Sequence, residues 1–331
     1  MQDARTEQDL LIETFDGRAR RRENRRAFFT AALGVAAVGG AFAYADPALA
    51  QTSVTDSDVL NFALNLEYLE AQFYLYAVNG TGLTSDLTAS GGGSAGGTVT
   101  GGAQVSFTTD PLVGAYAREI AADELAHVKF LRTALGSAAV AMPNINISGD
   151  ANGPFTAAAR AAKVVDPTSG IFNPYASPTD FLLGAFIFED VGVTAYKGAA
   201  PLLSNKTFLE AAAGILAVEA YHAAIVRTTL YSKGVQGLID ATEQIAAARD
   251  ALDGTPTEDK VRGIAPNDDQ GIAPSGSGDT LTANLAPLNS NGLAFSRTPG
   301  QVLNIVYLNA GTATMGGFFP NGVNGNIKST T

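Results

Sequence analysis

Hydrophobic residues recur at three- and four-residue intervals in four long stretches, which predicts four amphipathic helices. The predicted helices cover about residues 55–79, 110–136, 178–200 and 206–232. Three of them begin with a recognisable cap: Thr55 with Asp58 three residues on, Asp110 before Pro111, and Ser177 before Pro178. Only a tight turn, from Pro201 to Asn205, separates the last two helices, so they should be antiparallel neighbours. The pattern predicts an all-α four-helix bundle within residues 51–234.

The segments between and after these helices lack their periodicity. Residues 80–109 are rich in Gly, Ser and Thr, which predicts a long, partly β loop, and residues 137–177 read as irregular with one short helix from Phe155 to Val165. Residues 235–331 are predicted to form a C-terminal extension that packs on the bundle. Within it we expect helices over about 235–252 and 299–308, a loop-rich stretch over 254–297, and a turn-rich tail with two exposed aromatic residues, Phe318 and Phe319.

The first fifty residues have the parts of an export signal. A basic segment over residues 18–26 precedes a short apolar run from Ala31 to Tyr44, and an Ala-Leu-Ala sequence ends at Ala50. Residues 24–29, Asn-Arg-Arg-Ala-Phe-Phe, resemble the twin-arginine export motif. An ordinary secretory signal and an uncleaved anchor are the alternatives. The apolar run is too short to span a bilayer, so we expect a periplasmic or extracellular mature chain with no membrane span.

Composition narrows the chemistry that the mature chain can perform. Of 331 residues, 46% are hydrophobic and 16% charged, so a sizeable core can form. The net charge of −11 and the lack of a basic stripe argue against nucleic acid as a partner. There is no cysteine, which excludes disulfides, thiolate zinc sites and cysteine-held iron–sulfur clusters. Any bound metal must therefore use histidine, carboxylate or backbone oxygen.

Both histidines of the chain follow a glutamate by three residues. The second predicted helix carries Glu124-Leu-Ala-His127, and the fourth carries Glu219-Ala-Tyr-His222. This spacing places both side chains on one helix face. Apolar neighbours on the same faces indicate that these ionisable groups point inward, where an unpaired carboxylate would be costly. A divalent cation would relieve that cost by taking the carboxylates as ligands.

The other two helices supply further glutamates. Glu67 and Glu70 lie in the first helix, and Glu189 lies in an apolar run of the third. The order of Glu, Glu-X-X-His, Glu and Glu-X-X-His, one set per helix, is the ligand set of di-iron and di-manganese carboxylate bundles. Carboxylate with imidazole suits iron and manganese, and tolerates zinc. The sequence therefore predicts two metal ions, iron or manganese, bound by six side chains: Glu124, His127, Glu189, Glu219, His222 and a first-helix glutamate, Glu67 or Glu70.

Residues 61–71 and 317–322 resemble the two end signatures of the desiccation-related proteins within the ferritin-like superfamily, and the resemblance extends from about Asp56 to the C-terminus. It implies that Glu124 and Glu219 bridge the metals, that Glu67 and Glu189 are terminal ligands, and that each histidine binds one metal. In related bundles a tyrosine commonly follows the first-helix ligand by seven residues. The distance from Glu67 to Tyr74 fits, so Glu67 is preferred over Glu70.

Several residues near these ligands have more than one interpretation. Glu70 is an additional ligand, a group that supports the ligands, or a surface charge. Tyr74, Tyr196 and Tyr221 either support the centre, for example by quenching radicals, or only fill the core. Glu119 and Asp123 flank the second-helix motif and are expected to face solvent.

Three functions are compatible with this pattern. The first is a redox enzyme that acts on peroxide, dioxygen or Fe(II), with manganese catalases as the nearest enzymatic alternative. The second is a metal-binding stress protein of the envelope that has no turnover. The third is a structural or assembly module whose aromatic tail docks to a partner or a second copy. The sequence leaves a homo-oligomer open, but the long insertion and the extension put a ferritin-type cage in doubt.

Overall fold

The computed structural model describes residues 54–331, so the predicted export signal over residues 1–50 lies outside the described residues. The described part is largely helical, with a two-stranded parallel sheet in which β1 (Val99–Gly101) pairs with β2 (Ile145–Ile147). Short 3₁₀ turns cover residues 136–138, 200–202 and 278–280. The α-helices are α1 Asp56–Asn79, α2 Ser85–Thr88, α3 Pro111–Leu135, α4 Pro154–Ala161, α5 Pro178–Ala199, α6 Lys206–Ser232, α7 Gln236–Asp253 and α8 Pro299–Val306.

Helices α1, α3, α5 and α6 form the predicted bundle. Helix α1 packs along α3, and α5 packs along α6. Asn61, near the start of α1, donates to the Ala138 carbonyl just beyond the end of α3, so these helices are antiparallel. Lys233, just beyond α6, pairs at 2.7 Å with Asp110 at the start of α3, so α3 and α6 are antiparallel too. Helices α3 and α5 therefore run in the same direction, and residues 136–177 form the crossover that this direction requires.

The predicted caps form where the sequence places them. Thr55 and Asp58 make a reciprocal capping box at the start of α1, and the Asp110 side chain accepts from the backbone N–H of Val113 at the start of α3. Ser177 does the same for Asp180 at the start of α5. Each cap satisfies backbone donors that the first helical turn leaves free, which contributes about 1 kcal/mol. The caps thus fix the ends of three of the four bundle helices.

The C-terminal tail is part of the core, so the prediction that Phe318 and Phe319 are exposed is wrong. Both rings are fully buried, and the Phe318 ring lies 5.1 Å from Phe155 and 4.9 Å from Phe188, centroid to centroid. The side chain of Asn65 in α1 binds Asn324 twice, donating to its carbonyl and accepting from its N–H. The tail therefore covers a face of α1 that would otherwise be open.

Three buried arginines join the extension to the bundle. Arg227 of α6 and Arg249 of α7 both donate to Asp190 of α5, at 2.8 and 3.0 Å. Arg297, just before α8, donates to Asp253, Asp268 and Asp269 at 2.6 to 2.9 Å. Arg249 also donates to Asp269 at 2.6 Å, which links the two sets. We call this set the arginine network; its members are Arg227, Arg249, Arg297, Asp190, Asp253, Asp268 and Asp269.

Among the described helices, α6 has the length and apolar composition that a membrane span needs. A single helix of this kind is weak evidence for a membrane segment, because helices of soluble bundles share these features. One face of α6 is buried in the bundle and carries Glu219 and His222.

Candidate metal centre

The six predicted ligands lie together in the interior of the bundle. One or two come from each of α1, α3, α5 and α6, and Glu70 of α1 joins them. The five glutamates are at most 5% exposed, and His127 and His222 are 8% and 2% exposed. We call this group the carboxylate–histidine cluster; its members are Glu67, Glu70, Glu124, His127, Glu189, Glu219 and His222.

One half of the cluster surrounds His127. Its Nδ1 atom lies 3.2 Å from Glu67 Oε2, 3.6 Å from Glu124 Oε2 and 3.7 Å from Glu219 Oε1. These four residues offer ligand atoms that all lie within 4.8 Å of one another. One imidazole nitrogen and three carboxylate oxygens at such distances can converge on one cation.

The other half surrounds His222. Its Nδ1 atom lies 3.0 Å from Glu124 Oε1 and 3.7 Å from Glu189 Oε2. Glu124 thus turns one oxygen toward each histidine, as the resemblance implies for a bridging ligand. The two imidazole rings are 6.3 Å apart, centroid to centroid. This arrangement provides two adjacent positions that share Glu124.

Two tyrosines connect α1 and α5 through hydrogen bonds to Glu67 and Glu189. The Tyr74 hydroxyl of α1 donates to Glu189 of α5, and the Tyr196 hydroxyl of α5 donates to Glu67 of α1. Each tyrosine follows the glutamate of its own helix by seven residues, so the two helices carry the same spacing and exchange partners. The spacing in α5 is a signal that the sequence analysis did not use. The two halves of the cluster therefore share this pairing of a glutamate with a tyrosine of the other helix.

Glu70 is buried within the cluster, so it is not the surface charge that the sequence left open. It is 5% exposed, and the other glutamates repel its charge. Next to it, Gly192 of α5 leaves room for the acids: a Cβ atom there would lie 2.2 Å from Glu219 Oε2 and 3.4 Å from Glu70 Oε1. Glycine in a helix interior costs about 1 kcal/mol relative to alanine, and here it allows the close approach of a functional group.

Two expectations about neighbouring residues were wrong. Tyr221 is 69% exposed and does not support the cluster, because the residue before His222 points about 100° away around the helix. Asp123 does not simply face solvent: its Oδ2 lies 3.1 Å from His222 Nε2, with 41% of the side chain exposed. Asp123 therefore contacts Nε2 of His222, the ring nitrogen that faces away from Glu124. In metal-binding histidines, a carboxylate commonly contacts the ring nitrogen that does not bind the metal. Only the packing of α3 against α6 reveals this contact.

Burial makes negative charge costly in this cluster and shifts several pKa values. Burial and repulsion from Glu124 raise the pKa of Glu67 to about 7. Burial raises the pKa of Glu189 to about 8, against the attraction of His222. Burial also raises the pKa values of Glu70 and Glu219 well above 4.5, and repulsion among the acids adds to this. Burial opposes ionisation of Glu124 as well, but its interactions with both imidazoles lower its pKa to about 2.

The pKa values of the two histidines shift in the direction opposite to the one that burial alone would cause. Burial disfavours an imidazolium, yet the neighbouring carboxylates outweigh it and raise the pKa of His127 to about 11 and that of His222 to about 9. Without a metal, the cluster therefore holds protons on both rings and on several carboxyl groups near neutral pH. A pair of cations would replace these protons, so metal binding and proton release are coupled.

Unsatisfied buried atoms test whether the cluster suits metal ions. Within the described residues, six cluster atoms are buried without a hydrogen bond: both oxygens of Glu124, both of Glu219, Oε2 of Glu189 and Nδ1 of His222. His222 Nδ1 is close to Glu124 Oε1, but the contact lacks hydrogen-bond geometry. Unpaired buried carboxylate oxygens are expensive, and a cation would take them as ligands. Their number and chemistry fit two ions of iron or manganese.

Comparisons with known proteins agree with the fold. The family model described as "Ferritin-like domain" matches residues 55–232. The "Ferritin-like catalase Nec2" of Nesocodon mauritianus is 30% identical over 274 residues, covering 82% of this chain and 84% of that protein. The "Desiccation-related protein PCC13-62" of Craterostigma plantagineum is 27% identical over 258 residues, covering 75% and 76%. Solved structures give no significant match. The chain belongs to the ferritin-like domain family.

Proposed function

We propose that this chain is an exported two-metal oxidoreductase that disproportionates hydrogen peroxide, with iron or manganese held by Glu67, Glu124, His127, Glu189, Glu219 and His222. The observation that carries the proposal is the set of buried, unpaired ligand atoms on three bundle helices. A relative named as a catalase, similar over most of both chains, favours peroxide over dioxygen or Fe(II) as the substrate.

The reaction converts two molecules of peroxide into two of water and one of dioxygen. A metal pair held by these six residues would supply the two-electron redox chemistry that this reaction needs. The first peroxide also gives up two protons and the second takes up two, so the site must hold protons between the two halves. Glu70 is a buried carboxyl of the cluster beyond the six proposed ligands, and we assign it to holding one of these protons at its carboxyl oxygens.

The surroundings restrict what reaches the cluster. His127 is the most exposed member of the cluster, and Asp123 beside His222 is 41% exposed, so a small oxidant would enter between α3 and α6. On the opposite side, Glu70 borders a cavity of about 20 Å³ lined by Ile305, Val306 and Phe318 of the extension. Such a space holds about one water molecule. The extension therefore closes that side and keeps bulk water from the carboxylates.

The proposal has two further parts: export of the protein and a protective role. The motif over residues 24–29 supports the twin-arginine route, which carries folded proteins and would let the metals be loaded before export. A relative named as desiccation-related supports a role in drying or oxidative stress. Replacing Arg25 and Arg26 by lysine should retain the protein in the cytoplasm, as cell fractionation would show. Unchanged export of that variant would contradict the twin-arginine route.

A peroxide assay tests the proposed activity. Oxygen release would be measured with an electrode on the mature chain after loading with Mn²⁺ or Fe²⁺, beside the same metal without protein. We expect turnover that scales with bound metal and disappears in Glu124→Gln. Two bound metals without turnover of peroxide would contradict the proposal and favour a non-catalytic metal-binding protein.

A further inference from the structure

A second group of acids lies in the C-terminal extension and shares no residue with the carboxylate–histidine cluster. Asp250 and Asp253 lie one turn apart near the end of α7, and Asp268 comes from the following loop. Each offers an oxygen, and these atoms all lie within 4.8 Å of one another. The backbone N–H of Asp268 donates to Asp250 Oδ1 at 3.1 Å, which fixes the loop beside the helix.

Two of these acids are buried with one oxygen unpaired. The side chains of Asp253 and Asp268 are each 1% exposed. Arg297 binds Oδ2 of Asp253 and Oδ1 of Asp268, but the other oxygen of each has no hydrogen bond. A carboxylate oxygen that leaves water normally gains a donor or a cation in exchange. Arg297 therefore satisfies only half of each group.

The arginine network does not balance the charge of these acids. Its three guanidinium groups face five carboxylates once Asp250 is added to Asp190, Asp253, Asp268 and Asp269. Burial and mutual repulsion raise the pKa of Asp268 to about 7, in spite of Arg297. Two excess negative charges are what one divalent cation would neutralise.

We propose that Asp250, Asp253 and Asp268 bind one hard divalent cation of the calcium class. The ligands are carboxylate oxygens without imidazole or thiolate, which suits calcium rather than a metal that prefers nitrogen ligands. Calcium takes six to eight oxygens, and the partly exposed Asp250 leaves room for water to supply the remainder. Asp253 and Asp268 would each give the cation the oxygen that Arg297 leaves free.

A cation at this site would strengthen the connection between the extension and the bundle. Arg297 donates to the Thr194 hydroxyl of α5 at 3.1 Å, and its N–H donates to the Thr194 carbonyl. A cation on Asp253 and Asp268 would hold the two carboxylates that orient Arg297. It would thereby stabilise residues 254–297 against α5, the helix that carries Glu189.

Equilibrium dialysis with radioactive Ca²⁺ on the mature chain, carrying its native iron or manganese, tests the proposal. We expect one saturable Ca²⁺ per chain with a Kd below about 1 mM, and at least about tenfold weaker binding in Asp250→Asn. Asp240→Asn is the matched control, because Asp240 is exposed on the same helix and bonded to Gln236. The control should bind Ca²⁺ as the unaltered chain does. Iron and manganese content should be equal in all three proteins.

Thermal unfolding provides a second measurement that does not depend on dialysis. Saturating Ca²⁺ should raise the Tm of the unaltered chain and of Asp240→Asn, but not of Asp250→Asn. No saturable Ca²⁺ on the unaltered chain would overturn the proposal and indicate that Asp253 and Asp268 share a proton instead. Equal binding by Asp250→Asn would overturn it as well. Neither result would bear on the two-metal centre, whose metal content is measured separately.

Discussion

Two groups of buried charges meet at consecutive residues of α5, Glu189 and Asp190, and they differ in how their acid oxygens are satisfied. In the arginine network, Asp190 and Asp269 receive guanidinium hydrogen bonds at 2.6 to 3.0 Å. In the carboxylate–histidine cluster, which includes the adjacent Glu189, five of the ten glutamate oxygens are buried without a donor. Buried carboxylate oxygens that guanidinium groups bind form a structural connection, whereas buried oxygens without a donor, in the cluster and on Asp253 and Asp268, suit an external cation. The following variants test this difference, from the largest expected effect to the smallest.

Glu124→Gln should have the largest effect on metal binding. Glu124 faces both histidines, so neutralising it removes a ligand from both positions at once. We expect loss of at least one metal per chain and a fall in peroxide turnover of about 100-fold or more. Elemental analysis and the oxygen electrode provide the measurements. Glu119→Gln, an exposed site on the same helix, is the control, and equal metal content in both variants would contradict the assignment.

Arg227→Met should instead affect stability. The Arg227 side chain is fully buried and donates to Asp190 and to four carbonyls, those of Gln270, Gly271, Asn284 and Leu285. Removing one partner of a buried pair leaves the other uncompensated, which costs about 3–5 kcal/mol. Denaturant unfolding should show this loss, while metal per folded chain stays unchanged. If Arg227→Met lost metal but kept its stability, the arginine network would not be the structural connection that we infer.

Gly192→Ala should weaken metal binding without unfolding the chain. The added methyl group would displace Glu219 Oε2, and Glu70 lies close by. We expect roughly tenfold weaker metal affinity, since a ligand is moved rather than removed. Gly214→Ala is the matched control, because a Cβ atom there contacts nothing within 4 Å and alanine favours the helix. If the two alanine variants bind metal equally, Gly192 does not position Glu219.

The metal-free protein should lose stability as the pH rises. The folded-state pKa values of Glu67 and Glu189 lie at about 7 and 8, above the ordinary 4.5. Their neutral forms stabilise the fold fully below about pH 4.5, and this contribution is lost as the pH rises through 7 and 8. The raised pKa values of His127 and His222 act in the same direction, whereas the lowered pKa of Glu124 matters only under acidic conditions.

Melting curves from about pH 5.5 to about pH 8 would measure this effect. The Tm should fall with rising pH in the metal-free chain and should fall less in the metal-loaded chain. Because Asp268 also has a raised pKa, the difference between the two curves isolates the cluster. Parallel curves would show that metal does not replace the protons of the glutamates.

Local patterns made much of the fold and the cluster predictable. Helical spacing placed Glu124 with His127 and Glu219 with His222 on single faces, and the caps at Thr55, Asp110 and Ser177 fixed where helices begin. These features depend on residues three or four apart, so a single sequence contains them.

Contacts between distant segments were not predictable in the same way. Phe318 is buried against Phe155 and Phe188, and Asn324 of the same tail pairs with Asn65, 259 residues earlier in the chain. Asp123 meets His222 across two helices, 99 residues apart. Burial of Arg227 depends on carbonyls of a loop with no regular pattern. No periodicity within one helix encodes such pairings.

Anomalous diffraction from crystals of the metal-loaded mature chain tests the central claim most directly. Data collected at the manganese and iron absorption edges should show two adjacent peaks between His127 and His222, with Glu124 in contact with both. A single peak, or anomalous scattering elsewhere in the molecule with none between the histidines, would contradict the two-metal centre.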